Sequence, residues 1–340
     1  QTGFKVSTSS AFPTDTHVYM AIRRPNKPPT AGTQVYETIS YTGNGSSGRH
    51  LTTVLDRVDM FFTQRMGGGN PYALDRLRRL STYTGTDTSS NGGDQPDCVT
   101  DAPNKKLVAN NAPLTNSSGD VYALTLFKRA PGFFDSVCYS GNGSSGRQIT
   151  HNLGAVPEMI LVKTGSGTAD NWQTYHSALG ATKFLQFNRT SSVSTGSSRW
   201  NDTAPTSTVF TVGNDTGVNS SSSTYFAYLF ASLDGISKVG SYTGNSGYDV
   251  NVNCGFTNGA RYILIKNSDK SADPADSWYV FNTVRGISSG NDPYTWINKS
   301  QGETTGTDLI DPLSTGFTVT SASGSDLNVT GDTYVFLAIA

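Results

Sequence analysis

Charge is scarce in this chain. Asp, Glu, Lys and Arg make up 15% of the 340 residues, well below the usual quarter, and 25 basic residues almost balance 26 acidic ones. No block of one sign occurs. That excludes the clustered Lys and Arg through which proteins hold nucleic acid by its phosphates. Cysteine is scarcer still: Cys98, Cys138 and Cys254 fall one in each third of the chain. So sparse and odd a set is neither a disulfide framework nor a metal-ligand spacing, and it reads as free thiols. No apolar run approaches the roughly 18 residues of a membrane span, so no membrane insertion is expected. Convincing helical periodicity is missing too.

What the chain has instead is glycine, 36 residues of it, with Ser, Thr and Asn in obvious excess. Hydrophobic residues at 35% and aromatics at 11% are too many for a disordered chain. Short aromatic strands joined by polar turns fit this composition.

One phrase organises the sequence. Tyr139-Ser140-Gly141-Asn142-Gly143-Ser144-Ser145-Gly146-Arg147 matches Tyr41-Thr42-Gly43-Asn44-Gly45-Ser46-Ser47-Gly48-Arg49, and returns worn down as Tyr242-Thr243-Gly244-Asn245-Ser246-Gly247. Asn and Gly tolerate positive φ, so each copy reads as a strand entering a turn. Recurrence near every hundred residues is the mark of a repeat array. Other landmarks keep the same order. Ile160-Leu161-Val162-Lys163 is answered by Ile263-Leu264-Ile265-Lys266, and Trp172 by Trp278. A closing strand recurs at Val18–Ile22, Tyr122–Leu124, Tyr225–Phe230 and Tyr334–Ile339.

Four closing strands against three opening phrases imply that the chain starts inside a repeat, with further copies or another domain before it. The expected division is a remnant with a Pro-rich linker over 1–34, a divergent repeat over 35–134, and two clearer repeats over 135–236 and 237–340. Strands every 8–12 residues with turn dipeptides between them predict all-β architecture: tandem antiparallel β-sandwich units, jelly-roll-like, of about 100 residues. The closing strand, apolar on both faces from Tyr225 to Phe230, should be central and covered on both sides. Leu74–Leu80 reads as at most a helical turn. Lys128-Arg129, a basic pair after a closing strand, is placed to grip the neighbouring unit. Proline-containing linkers and stacked sandwiches suit a long, protease-resistant object.

No residue set fills the roles of a catalytic site. The histidines His17, His50, His151 and His176 sit at different repeat positions, and neither a nucleophile elbow nor His-Glu-x-x-His occurs. We therefore assign no catalytic residue, no cofactor and no enzyme activity. Asp87, Asp94 and Asp97, or Asp269, Asp273 and Asp276, lack any Ca²⁺-loop spacing, so no metal ligand is assigned. Strand alternation sends Trp172 and Tyr175, and likewise Trp278 and Phe281, to opposite faces. These rings are expected in cores and between sheets. Trp200 and Trp296, each closely followed by Asn in a polar tract, are the candidate contacts for a glycan or a partner; the glycan-binding reading requires one of them to be exposed.

Several of these words resemble a repeat domain common in tail, fibre and other virion proteins of tailed phages, marine ones especially. They are His17–Pro25, Phe127–Asp135, His151–Ile160, Asn171–His176, Trp200–Ser207, and the tract from Trp278 to Tyr294. The resemblance spans nearly the whole chain. It implies a non-enzymatic, virion-located or extracellular structural protein in a fibre, appendage or surface decoration. Its partners would be itself, as a homo-oligomer, other virion proteins, and a host-surface glycan, with no nucleic acid. A glycan-binding adhesin or a subunit of an extracellular filament is the alternative. The first repeat departs from the pattern, since it lacks the Trp of the 172 and 278 strands.

Overall fold

The computed structural model describes residues 27–95, 98–102, 105–271, 275–323 and 326–340. Strands dominate, all paired antiparallel, as alternating apolar residues and Gly-Asn turns require. Three large sheets share one strand order. The first runs Tyr36–Thr42, Val121–Phe127, Met60–Arg65, Tyr72–Asp75, Thr82–Gly85 and Gly93–Asp94. The second runs Phe134–Ser140, Thr224–Phe230, Met159–Ser166, Gln173–His176, Lys183–Gln186 and Ser194–Thr195. The third runs Ser237–Thr243, Thr333–Ile339, Tyr262–Asn267, Tyr279–Asn282 and Thr295–Trp296. In each, the strand that closes the segment lies between its first and third strands.

That placement explains the doubly apolar closing strands. On one face of the second sheet, Tyr225, Ala227 and Leu229 pack with Ile149, Phe210 and Val212 of a small facing sheet formed by Arg147–Thr150 and Val209–Val212. This is a sandwich core. The first sheet is covered in the same way by Arg49–Thr52, Lys106–Ala109 and Val99–Ala102. The third is covered by Val250–Asn253, Gly316–Val319 and Ile310–Leu313.

The opposite faces of the three large sheets meet one another. Phe127, Phe230 and Ile339, the last or next-to-last described residues of the closing strands' apolar runs, lie in one common cluster with Tyr36, Phe134 and Tyr262. Phe127 touches rings from all three segments: Tyr36 at 5.8 Å, Phe134 at 5.8 Å, Phe230 at 5.6 Å and Tyr262 at 6.1 Å between centroids. Burying a ring of this size contributes about 1.5–3 kcal/mol. The sheets are thus gathered about a shared hub, unlike the linker-separated stack that the proline tracts suggested. Three faces, each apolar over a whole strand, bury more by meeting than by stacking end to end.

The recurrent Tyr-x-Gly-Asn phrase is a corner that locks each sandwich. Tyr139 Oη donates to the Val218 carbonyl at 2.8 Å, and Tyr242 Oη to that of Leu327 at 2.8 Å; Tyr41 does the same to Thr115. Asn142 N donates to Asn219 Oδ1 at 3.0 Å, and Asn245 N to Asn328 Oδ1 at 2.6 Å. The glycine is required by close approach. A Cβ on Gly141 would lie 1.9 Å from the Ser220 carbonyl oxygen, and Gly43 and Gly244 face carbonyls at 2.0 and 2.1 Å.

Leu74 belongs to the strand Tyr72–Asp75, and the chain then bends, so the helical turn expected over 74–80 does not form. Leu74 is buried, and Asp75 Oδ1 accepts from Arg78 N, which turns the chain sharply. Arg129 does reach forward, pairing with Asp135 at the start of the next segment. Most of the expected N-terminal remnant, including His17 and Arg23-Arg24, lies outside the described residues.

Candidate functional site: a polar pocket where the three sheets meet

The pairing registers set corresponding places in the three sheets. Met60, Met159 and Tyr262 pair with Phe127, Phe230 and Ile339. Four residues on, Gln64, Lys163 and Lys266 therefore share a place, and each reaches into a neighbouring segment. Lys163 Nζ donates to the Ser89 carbonyl at 2.8 Å, Lys266 Nζ to that of Thr190 at 3.0 Å, and Gln64 Nε2 to that of Trp296 at 3.3 Å. The contacts run second to first, third to second and first to third, so they close a ring. Burial pushes both lysines down to about 8, partly offset by Asp170 near Lys163 and by Asp276 near Lys266.

The indoles follow the same direction. Trp172 Nε1 donates to the Gly85 carbonyl at 2.8 Å and Trp278 Nε1 to that of Gln186 at 3.1 Å. The first sheet has Pro71 at this place. Its carbonyl accepts from Thr86 N, as those of Trp172 and Trp278 accept from Phe187 N and Ile297 N. The residues that follow these three donors, Asp87, Asn188 and Asn298, consequently correspond to one another. All three line a single cavity of about 310 Å³ with Arg189, Thr190 and Lys299.

Their hydrogen bonding differs for a legible reason. In the second segment the set is complete: Asn188 Oδ1 accepts from Trp172 N at 3.0 Å, and its Nδ2 donates to Asn171 Oδ1 at 2.8 Å. In the third, Asn298 Oδ1 accepts from Trp278 N at 2.9 Å, but Ser277 stands before that Trp where Asn171 stands before Trp172. Asn298 Nδ2 and Ser277 Oγ consequently have no partner among the described residues, although the side chains are 4% and 0% exposed. In the first, proline carries no N–H. Asp87 Oδ1 is buried without a partner, and burial raises its carboxyl above the ordinary range. Unpaired buried polar atoms are uncommon and costly in folded proteins. Here two of opposite character, an acceptor and a donor, belong to residues lining one pocket.

The residues singled out from sequence lie elsewhere. Trp200 and Trp296 are 2% and 7% exposed, so neither offers a face for a sugar to stack on. Trp200 packs edge-on against Tyr175 at 5.9 Å in the second sandwich core, and Trp296 against Tyr279 at 5.7 Å in the third. Trp172 and Trp278 face the hub, while Tyr175 and Phe281 face their own sandwiches, as alternation required. Cys98, Cys138 and Cys254 form no disulfide among the described residues. Asp97 and Asp273 lie outside the described residues, and among the described residues no three His, Cys, Asp or Glu side chains gather as a metal site would need. Asn188 and Asn298 escaped sequence reasoning, and Asp87 was weighed there only as a Ca²⁺ ligand. The signal was an amide 16 and 20 residues after each Trp, an unequal spacing because the intervening loops differ.

Comparison with curated proteins finds no match. A family model, described as a domain of unknown function (DUF7483), matches residues 104–340, from the last strands of the first segment through the whole of the second and third. The chain belongs to the DUF7483 family.

Proposed function

We propose that this chain is a non-enzymatic structural building block of a phage virion, in a fibre, an appendage or a surface decoration. The observation that carries the reading is the closed, three-way interlock of the sheets. Backbone bonds reinforce it at two junctions: Gly69 N to the Ser300 carbonyl at 2.7 Å, and Val193 N to that of Ser268 at 2.7 Å. Such a body resists local opening, because each sheet face is covered by two others. The likeness of Phe127–Asp135, His151–Ile160 and Trp200–Ser207 to words of phage virion proteins supplies the setting. Low charge and many hydroxyl side chains suit surfaces that must pack without strong fields.

The test is cryo-electron microscopy of particles from the encoding phage, with antibody labelling against this chain. Density for the three-sheet body at a fixed place on tail, fibre or capsid is the expected result. Absence of the chain from purified particles, or turnover of a host polysaccharide by the isolated protein, overturns it.

A further inference from the structure

One residue at the seam between the first and second sheets is placed to change covalently. We propose that Asn91 is a site of spontaneous deamidation, a one-way modification that removes a hydrogen bond joining those two segments. This goes beyond the virion reading and does not rest on it.

The chemistry is local to an Asn-Gly pair. The backbone nitrogen of the glycine gives up its proton to solvent and attacks Cγ of the asparagine side chain. The N–Cγ bond forms, the Cγ–Nδ2 bond breaks, and Nδ2 takes up a proton and leaves as ammonia. Water then opens the cyclic succinimide at one carbonyl or the other, leaving an aspartate or an isoaspartate. Glycine admits the attack most readily, since no Cβ shields its nitrogen or restricts its torsions.

Four such pairs occur: Asn44-Gly45, Asn91-Gly92, Asn142-Gly143 and Asn258-Gly259. In three of them the attacking nitrogen is occupied. Gly45 N donates to the Asn116 carbonyl at 2.9 Å, Gly143 N to that of Asn219 at 2.7 Å, and Gly259 N to that of Ser314 at 2.8 Å. The two corner amides are pinned as well. Asn44 Oδ1 accepts from Ser46 N and Asn116 Nδ2, and Asn142 Oδ1 from Ser144 N and Asn219 Nδ2, each at 3.0 Å. Gly92 differs: it is exposed, and its N–H has no hydrogen-bond partner among the described residues. The Asn91 side chain is held by one bond, from Nδ2 to the Gly167 carbonyl at 2.8 Å, while its Oδ1 has no partner.

That single bond crosses from the first segment to the second. Deamidation replaces the Nδ2 donor with a carboxylate oxygen, which can only accept, and so leaves two acceptors facing each other. The isoaspartate form also lengthens the backbone by one atom, just before Gly93 and Asp94 pair with Tyr83 and Thr82.

Incubation of the folded full chain in mildly alkaline buffer, followed by peptide mass spectrometry that separates aspartate from isoaspartate, tests this. Asn91 should convert first. Asn44 and Asn142 should be at least about tenfold slower, and Asn258 slower than Asn91, because each must first release the bonds that occupy its nitrogen. In the urea-unfolded chain these differences should vanish. Asn91→Asp, which matches one product, should melt below the parent. If that variant cannot be obtained folded, the peptide map of the parent decides alone. Conversion at Asn91 no faster than at the corners, the same order of rates in the unfolded chain, or unchanged melting of Asn91→Asp overturns the proposal.

Discussion

The indole of Trp172 donates to the carbonyl of Gly85, 2.8 Å away and 87 residues earlier in the chain. One hydrogen bond thus ties the second sheet to the first from inside a fully buried ring. Trp172→Phe keeps most of the apolar area but leaves that carbonyl unpaired. We expect it to cost about 1–3 kcal/mol, and Trp172→Ala about 3–5 kcal/mol, measured by urea unfolding. A cost below about 0.5 kcal/mol for both would mean that the junction is not closed as described.

Acid should loosen the junction between the second and third sheets. His176 is buried against the Phe336 carbonyl, and burial pushes its pKa down to about 4. In the unfolded chain it titrates near 6.5. Between those values the unfolded state holds a proton that the folded state refuses, so stability falls as pH drops through that window. His176→Asn, which installs the residue found at the corresponding Asn282, should flatten the melting temperature between pH 4.5 and 6.5 relative to the parent. A loss on the order of 2 kcal/mol across the window is expected for the parent.

The buried lysines act in the opposite range. Lys163 and Lys266 have pKa values lowered to about 8, so between about 8 and 10.5 the unfolded state binds more protons and stability gains with rising pH. Tyrosines and cysteines held neutral by burial work against this at the upper end, so the lysine contribution is read as a difference. Lys163→Met should be relatively more stable at pH 7.5 than at pH 9.5 when each is compared with the parent by chemical denaturation, by on the order of 1 kcal/mol. A difference that does not change with pH would contradict the burial of its ammonium group.

The buried Oδ1 of Asp87, which has no partner among the described residues, should be a stability defect. Asp87→Asn is expected to raise unfolding free energy by about 1 kcal/mol, seen as a higher melting temperature. A fall in melting temperature would argue that the carboxylate is already satisfied.

The corner glycines should be irreplaceable. Gly141→Ala sets a Cβ 1.9 Å from a backbone carbonyl oxygen, which cannot move without breaking the adjoining turn. About 2–3 kcal/mol of destabilisation is expected by urea unfolding. Gly247→Ala, in open space within the worn third copy of the phrase, should cost little.

Much of the fold could be read directly. The closing strands declared themselves because residues such as Tyr225 to Phe230 are apolar at both parities, which only a strand covered on two sides tolerates. Trp172 and Tyr175 parted as alternation demands. The polar flanks of Trp200 and Trp296 carry no information on exposure, since both rings are buried beside them. The pocket was out of reach for a different reason. Its residues are about a hundred apart in sequence, and their orphaned atoms exist only because Pro71 and Ser277 replace groups that a partner strand would otherwise engage. Such a vacancy is a relation between registers, visible only once the strands are paired.

The ring of Gln64, Lys163 and Lys266 has a consequence for growth. In an open solenoid each unit touches only its neighbours, so units can be added or lost with little change in the rest. Here the last segment turns back onto the first, through Trp296 and Ser300, so each of the three described large sheets is held by the other two. Duplication or deletion of one segment would break closure at two seams at once. The described body should therefore gain or lose its structure as a whole.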